Sequence, residues 1–321
     1  MNKVIFAAAL GIASCTLASL SNAQEAYPAR PITIVVPFGA GSGSDIGARL
    51  IGQKLGEGLG QSVVIDNKPG ANGSIGASYV AKAKADGYTL LIGTNSTHGA
   101  NPGLLKEMRY DPVKDFAPVN RIAIYTSIIV SNPAVPVKNM RELIALGKTQ
   151  ELTLATGNAS GVVQSETLAR YAKWKPLLRV PFKSNPPAMT EVMAGRVQLM
   201  FSDIASVQAQ VKSGALRALA VTSRDRSALM PDLPTFIESG VPDYDLSGWV
   251  ALFAPAGTPP AVVSRLNAEV TRILNLPDVR SKLLDLGAEP GPMAVPQVTA
   301  WVQKEVTTWT QLVKDAGIQP E

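Results

Sequence analysis

The residues best placed for chemistry lie in a glycine and serine turn, Phe38, Gly39, Ala40, Gly41, Ser42, Gly43, Ser44 and Asp45. It follows the apolar run 32–36 (ITIVV) and precedes Ile46, Leu50, Ile51, Leu55 and Leu59, which share one helical face. A buried strand feeding such a turn into a helix leaves backbone N–H groups free at the positive end of the helix dipole, where small anions bind. The turn therefore reads as a grip for a carboxylate. A second set, Thr94, Ser96, Thr97 and His98, follows another short apolar run, 89–94 (TLLIGT). Ser96 and Thr97 read as hydroxyl donors. His98 reads either as a wall or donor of the site or as a structural turn residue.

Other chemistries lack their residues. The turn lacks the final glycine of a dinucleotide-binding GxGxxG, and the chain contains neither GxxxxGK[ST] nor GxSxG. One histidine and one cysteine cannot supply the usual zinc or iron ligand sets. The expectation is a binding protein rather than an enzyme, without cofactor or metal. Formal net charge is +5, with 30 basic and 25 acidic residues. The basic residues are scattered singly, which argues against a nucleic-acid partner.

The N-terminus reads as a targeting segment. A basic start (Lys3), an uncharged stretch over 4–20 and the small-residue site Ser21-Asn22-Ala23 predict a signal peptide over 1–23, cleaved near Ala23. The alternative is lipid anchoring through Cys15. Export implies a periplasmic protein whose mature form begins near Gln24.

The remaining chain alternates strand and helix patterns. Strands are predicted at 32–36, 62–66 and 89–94, with the turns after Val36, Asp66 and Thr94 at one sheet edge. The run 121–131 reads as a crossing into a second series, with strands at 152–156, 177–180, 197–201 and 216–221. Helices are expected at 163–174, 187–194 and 205–213. The run 249–255 (WVALFAP) reads as the return crossing, and the C-terminal part is helical. Two α/β domains, each a mostly parallel sheet flanked by helices, thus form a hinged clamshell. The first comprises 24–123 plus 249–321, and the second 124–248.

Several phrases, in order along the mature chain, resemble the Bug receptors, the extracytoplasmic solute-binding proteins of tripartite tricarboxylate transporters. They are YPARPITIVVPFGAGSGSD, VVIDNKPGANGSIGA, NSTHGANP, DFAPV, RVQLMF, LRALAVTS and WVALFAPAGTPP. The resemblance implies a type II periplasmic-binding-protein fold closing on a small carboxylate ligand, with membrane transporter subunits as partners. A sensor kinase is the other candidate partner, and the protein is expected to be a monomer. It also implies second-domain contacts from Asn158, Ser160, Lys183, Ser184, Ser202 and Asp203. Each has a plainer reading: Asn158, Ser160 and Asp203 as helix-start residues, Lys183 as a solvated charge. Asp45 likewise reads as ligand contact or helix cap, and Trp249 as hinge packing or ligand contact. Three departures from the family pattern fall on the second domain: Val163-Gln164 where a histidine is common, Ser202 before Asp203, and PFKS for PYKG. The distal part of the ligand therefore does not follow from the resemblance.

Overall fold

The computed structural model describes residues 27–320. The predicted signal peptide and cleavage site, and Cys15, lie outside the described residues.

The first lobe is built on a six-stranded sheet. Strands β1 (Ile32–Val36), β2 (Val63–Asn67) and β3 (Thr89–Thr94) run parallel, with β1 between the other two. Their faces are covered by α1 (Gly43–Leu59) and α2 (Ser74–Ala81). The C-terminal ends of β1, β2 and β3 therefore share one edge, and the Phe38–Asp45 turn and the segment after Thr94 leave from it. β3 continues into a wide π-helical turn, Asn95–Ala100, and a short helix, α3 (Asn101–Leu104).

The predicted crossing 121–131 is two strands in different sheets. β4 (Phe116–Tyr125) belongs to the first sheet and β5 (Ser127–Ser131) to the second, with only Thr126 between them. The second lobe then adds α4 (Met140–Thr149), β6 (Thr153–Thr156), α5 (Ala159–Ala172), β7 (Leu178–Pro181), α6 (Asn185–Met193), β8 (Leu199–Asp203), α7 (Ile204–Lys212) and β9 (Arg217–Val221). Its sheet order is β7-β6-β8-β5-β9. The chain returns through β10 (Gly248–Pro255), which inserts antiparallel between β3 and β4. α8 (Pro260–Leu274), α9 (Pro277–Asp285), β11 (Ala288–Pro290) and α10 (Val295–Asp315) complete the first lobe. Strands fed by the alternating units all run one way within each sheet. The reversals are β5, β10 and β11, strands that enter or follow a crossing.

Each lobe has its own apolar core. Ile32, Ile34, Ile51, Leu55, Leu90 and Leu252 fill one, and Ile129, Leu143, Leu154, Leu199, Phe236 and Tyr244 fill the other. A third cluster joins the lobes. Trp309 and Val313 of α10 pack with Ala100 and Leu104 of the first lobe and with Val162 and Val163 of α5. Among the described residues, no helix is long and apolar enough to cross a membrane.

Gly99 makes this joint possible, because a Cβ there would stand 2.7 Å from Trp309 Cγ. Gly99→Ala is expected to displace the indole and destabilise the protein by about 1–3 kcal/mol, the usual cost of overpacking a filled core. Urea unfolding checks this, and an unchanged midpoint would show that the indole is not held as described.

Candidate functional site

The Phe38–Asp45 turn is held from below. Ser42 caps α1, its Oγ accepting from Asp45 N at 3.3 Å. Asp45 is itself buried, and its carboxylate accepts from Gly41 N (3.0 Å), Arg49 Nε (3.0 Å) and Asn67 Nδ2 (2.9 Å). Burial alone would raise its pKa, but the hydrogen bonds from Arg49, Gly41 and Asn67 hold it below the ordinary carboxylate value. Asn67 also donates to Phe38 O at 3.0 Å, so β2 braces the turn. Asp45 thus fastens the loop from behind.

The second turn divides into an inner and an outer half. Thr94 and Thr97 cap each other, and Thr97 Oγ1 meets His98 Nδ1 at 2.9 Å. Both Thr97 and His98 are fully buried. The imidazole stacks on Phe253 at 4.0 Å between ring centroids and lies beside Phe116 and Trp249. Of the two readings of His98, the structure places it in the core. Desolvation in this aromatic nest lowers its pKa to about 3, so it is neutral. The outer half faces the other lobe. Asn95 Nδ2 donates to Ser160 Oγ (2.6 Å), Ser96 Oγ pairs with the same hydroxyl (2.6 Å), and Ser160 N donates to Ser96 Oγ (3.1 Å). Asn95 Oδ1 meanwhile accepts from Trp249 N at 3.2 Å, tying the return strand to the same knot.

In the second lobe three helix starts converge on the gap. Asn158 caps α5 through Gly161 N (2.9 Å), and Asp203 caps α7 through Ser206 N (2.9 Å) and Ser206 Oγ (2.7 Å). Asn185, at the start of α6, donates toward Ser202 Oγ at 3.4 Å. The lobes are in close contact. A Cβ on Gly39 would lie 2.7 Å from Ser184 Oγ, and one on Gly43 would lie 2.5 Å from Asp203 Oδ1. The start of α1 at Gly43 thus stands against the Asp203 carboxylate across the gap, and the Gly43 amide opposes the rise in its pKa.

Between the lobes lies a cavity with about 70 Å³ of free space. That is several times the roughly 10–15 Å³ a single water needs, and suits a compact solute rather than a nucleotide. Of the residues singled out from sequence, Phe38, Ser42, Gly43, Ser44, Thr94, Ser96, Asn158, Ser160, Ser202 and Asp203 line it. Gly39, Ala40, Gly41, Asp45, Thr97, His98 and Ser184 lie in the loops around it without lining it, and Lys183 is exposed outside it. Trp249 also lines it. Sequence reasoning did not single out Asn95, Tyr125, Ser127, Asn185, Phe201, Gly248 or Val250, and named Gln164 only as a departure. Tyr125, Ser127, Gly248 and Val250 sit where the chain crosses between lobes, so their apolar surroundings conceal a site-facing position. Asn95 had a visible signal, a polar residue directly after the strand end at Thr94.

The cavity's electrostatics are dominated by dipoles. No lysine, arginine or histidine among the described residues lines it. Asp203 is its one carboxyl, with a pKa raised by burial against the opposing hydrogen bonds of Ser206 and Gly43. The buried Tyr125 hydroxyl, without a protein partner, has its pKa pushed up by burial and by Asp203.

Two α/β lobes meeting over a polar interlobe cavity define a solute-binding receptor of the periplasmic type. Residues 47–318 match the tripartite tricarboxylate transporter family receptor, TctC. Protein BugT of Bordetella pertussis is 33% identical over 318 residues, covering 98% of this chain and 95% of that protein. An R. palustris protein solved with adipate superposes with a TM-score of 0.89 at 36% identity, covering 92% of this chain and all of that one. MatC of Rhodopseudomonas palustris with bound malate gives 0.85 at 34% identity, covering 89% and 100%. The chain belongs to the receptor family of tripartite tricarboxylate transporters, a family of solute-binding receptors.

The buried His98 sets a pH dependence. Folded, it stays neutral until about pH 3, whereas unfolded it protonates near its ordinary 6.5. Between these values the unfolded chain binds more protons, so this contribution is complete above 6.5 and is lost as pH falls. Stability measured by denaturant is expected to fall from pH 7 to pH 4, with a smaller slope in His98→Gln. Equal slopes would place the ring in water.

Proposed function

We propose that this protein captures a small carboxylate-bearing solute between its lobes in the periplasm and delivers it to the membrane subunits of a tripartite tricarboxylate-type transporter. The closing bodies are residues 24–123 with 249–321 against 124–248, exported behind the 1–23 leader and acting as a single chain. What carries the reading is the convergence of helix starts and hydroxyls on an interlobe cavity whose lining has no basic side chain. The Ser44 amide at the start of α1 and the Tyr125 hydroxyl are the donors proposed for the carboxylate, with Ser42 and Thr94 around them. Asn95, Ser96 and Ser160 serve closure, because their side chains are already bonded to one another across the gap.

The magnitudes fit a transport receptor. Hydrogen bonds to an ionised acceptor contribute ~1.5–3 kcal/mol each. Three or four, less the cost of closure and lost freedom, leave about −8 kcal/mol, which is micromolar binding with fast release. Adipate in one relative and malate in another are solutes of the same chemical class.

A thermal-shift screen over small carboxylates tests the reading. At least one acid is expected to raise Tm while its methyl ester and amide do not, and equal responses to acid and ester would refute the carboxylate grip. Tyr125→Phe removes a hydroxyl that has no protein partner. It should therefore weaken binding about tenfold, ~1.4 kcal/mol, with little change in stability. Unaltered affinity in that variant would take the hydroxyl out of the site.

A further inference from the structure

The two walls of the cavity differ in hydrogen-bonding character. The first lobe brings donors to it: the start of α1 and Tyr125, whose hydroxyl is unpartnered and buried beside Gly47 in a residue only 5% exposed. The second lobe brings acceptors to it. Asn185 lines it with an unpartnered Oδ1 buried beside Gly157, in a residue 7% exposed, and Asp203 presents a carboxylate. Asp203 already accepts two bonds from Ser206 at Oδ1, and Gly43 N–H reaches its carboxylate from α1. Donors and acid are therefore neighbours rather than opposite ends of the cavity.

This adjacency restricts the solute. A carboxylate seated on the α1 amides must place its next substituent against Asp203. A second carboxylate there would face a like charge in a low-dielectric space, where repulsion is strong. A hydroxyl would pair with an acceptor but leave the acid's charge unbalanced. An ammonium one carbon from the carboxylate answers both acceptors and neutralises the acid. We propose that the solute is an α-amino acid held by its head group, the carboxylate on the start of α1 and Tyr125 Oη, the ammonium on Asp203 and Asn185 Oδ1. This rests on the carboxylate-capture reading above and narrows it to one class. The burial that raises the Asp203 pKa has the same consequence, since an incoming cation restores the ionised form that burial opposes.

The test is calorimetric titration of the mature chain. The standard protein L-amino acids are screened, and each is compared with its deaminated acid: L-alanine with propanoate, L-valine with isovalerate, L-glutamate with glutarate. At least one amino acid is expected to bind tenfold or more tightly than its deaminated counterpart. Asp203→Asn, which retains an acceptor for the α7 cap, should erase at least tenfold of that preference, and Asp203→Ser should do the same if the asparagine variant folds poorly. Deaminated acids binding as tightly as the amino acids, a preference that survives both substitutions, or no heat from any amino acid would each overturn the proposal. Its failure is separable from failure of carboxylate capture. The former leaves deaminated acids bound in preference to their methyl esters, whereas the latter leaves acids and esters bound alike.

Discussion

A negative charge between these lobes has to be met by dipoles. No lysine, arginine or histidine among the described residues lines the cavity, and its one carboxyl, Asp203, is itself an acid. Oriented N–H groups at helix starts can meet the charge, because they are fixed before the ligand arrives and carry the positive end of the helix dipole. The rest of the architecture follows from this requirement. Parallel strands β1, β2 and β3 deliver their following turns to one edge, and the second lobe brings the starts of α5, α6 and α7 to the facing edge.

Backbone amides serve only if the backbone stays where it is. Much of the polar chemistry around the cavity is accordingly spent on holding loops. Asp45, Arg49 and Asn67 fasten the glycine turn, whose residues would otherwise be free to move. Thr94, Thr97 and His98 fold the second turn back into an aromatic core, leaving Asn95 and Ser96 to face outward. The knot of Asn95, Ser96, Ser160 and the Trp249 amide then links both lobes and the return strand within a few bonds. Closure and hinge position are thus coupled through a single side-chain amide.

Most of the fold was legible because it rests on short-range pattern. The apolar runs at β1, β3 and β10 and the helical face from Ile46 to Leu59 mark buried strands and an amphipathic helix directly. The turn read after Thr94 forms a π-helical turn over Asn95–Ala100, since the mutual Thr94–Thr97 cap depends on geometry rather than composition. The run 121–131 read as one segment, because nothing in its apolar sequence marks Thr126 as the point where the chain changes sheets. The candidate site divides along the same line. Ser42, Gly43 and Ser44 stood out by spacing, whereas Tyr125 and Asn185 reach the cavity only through tertiary placement. Side-chain direction was the hardest to foresee: neighbouring Ser96 and His98 point to opposite sides of the same turn.

The central claim concerns backbone amides, so the most direct measurement is on them. Amide proton chemical shifts of the protein, followed during titration with a carboxylate that raises its Tm, report hydrogen bonds to each N–H individually. The account predicts a large, saturable downfield shift at Ser44 that tracks occupancy. Saturation of binding with that resonance unmoved would contradict it.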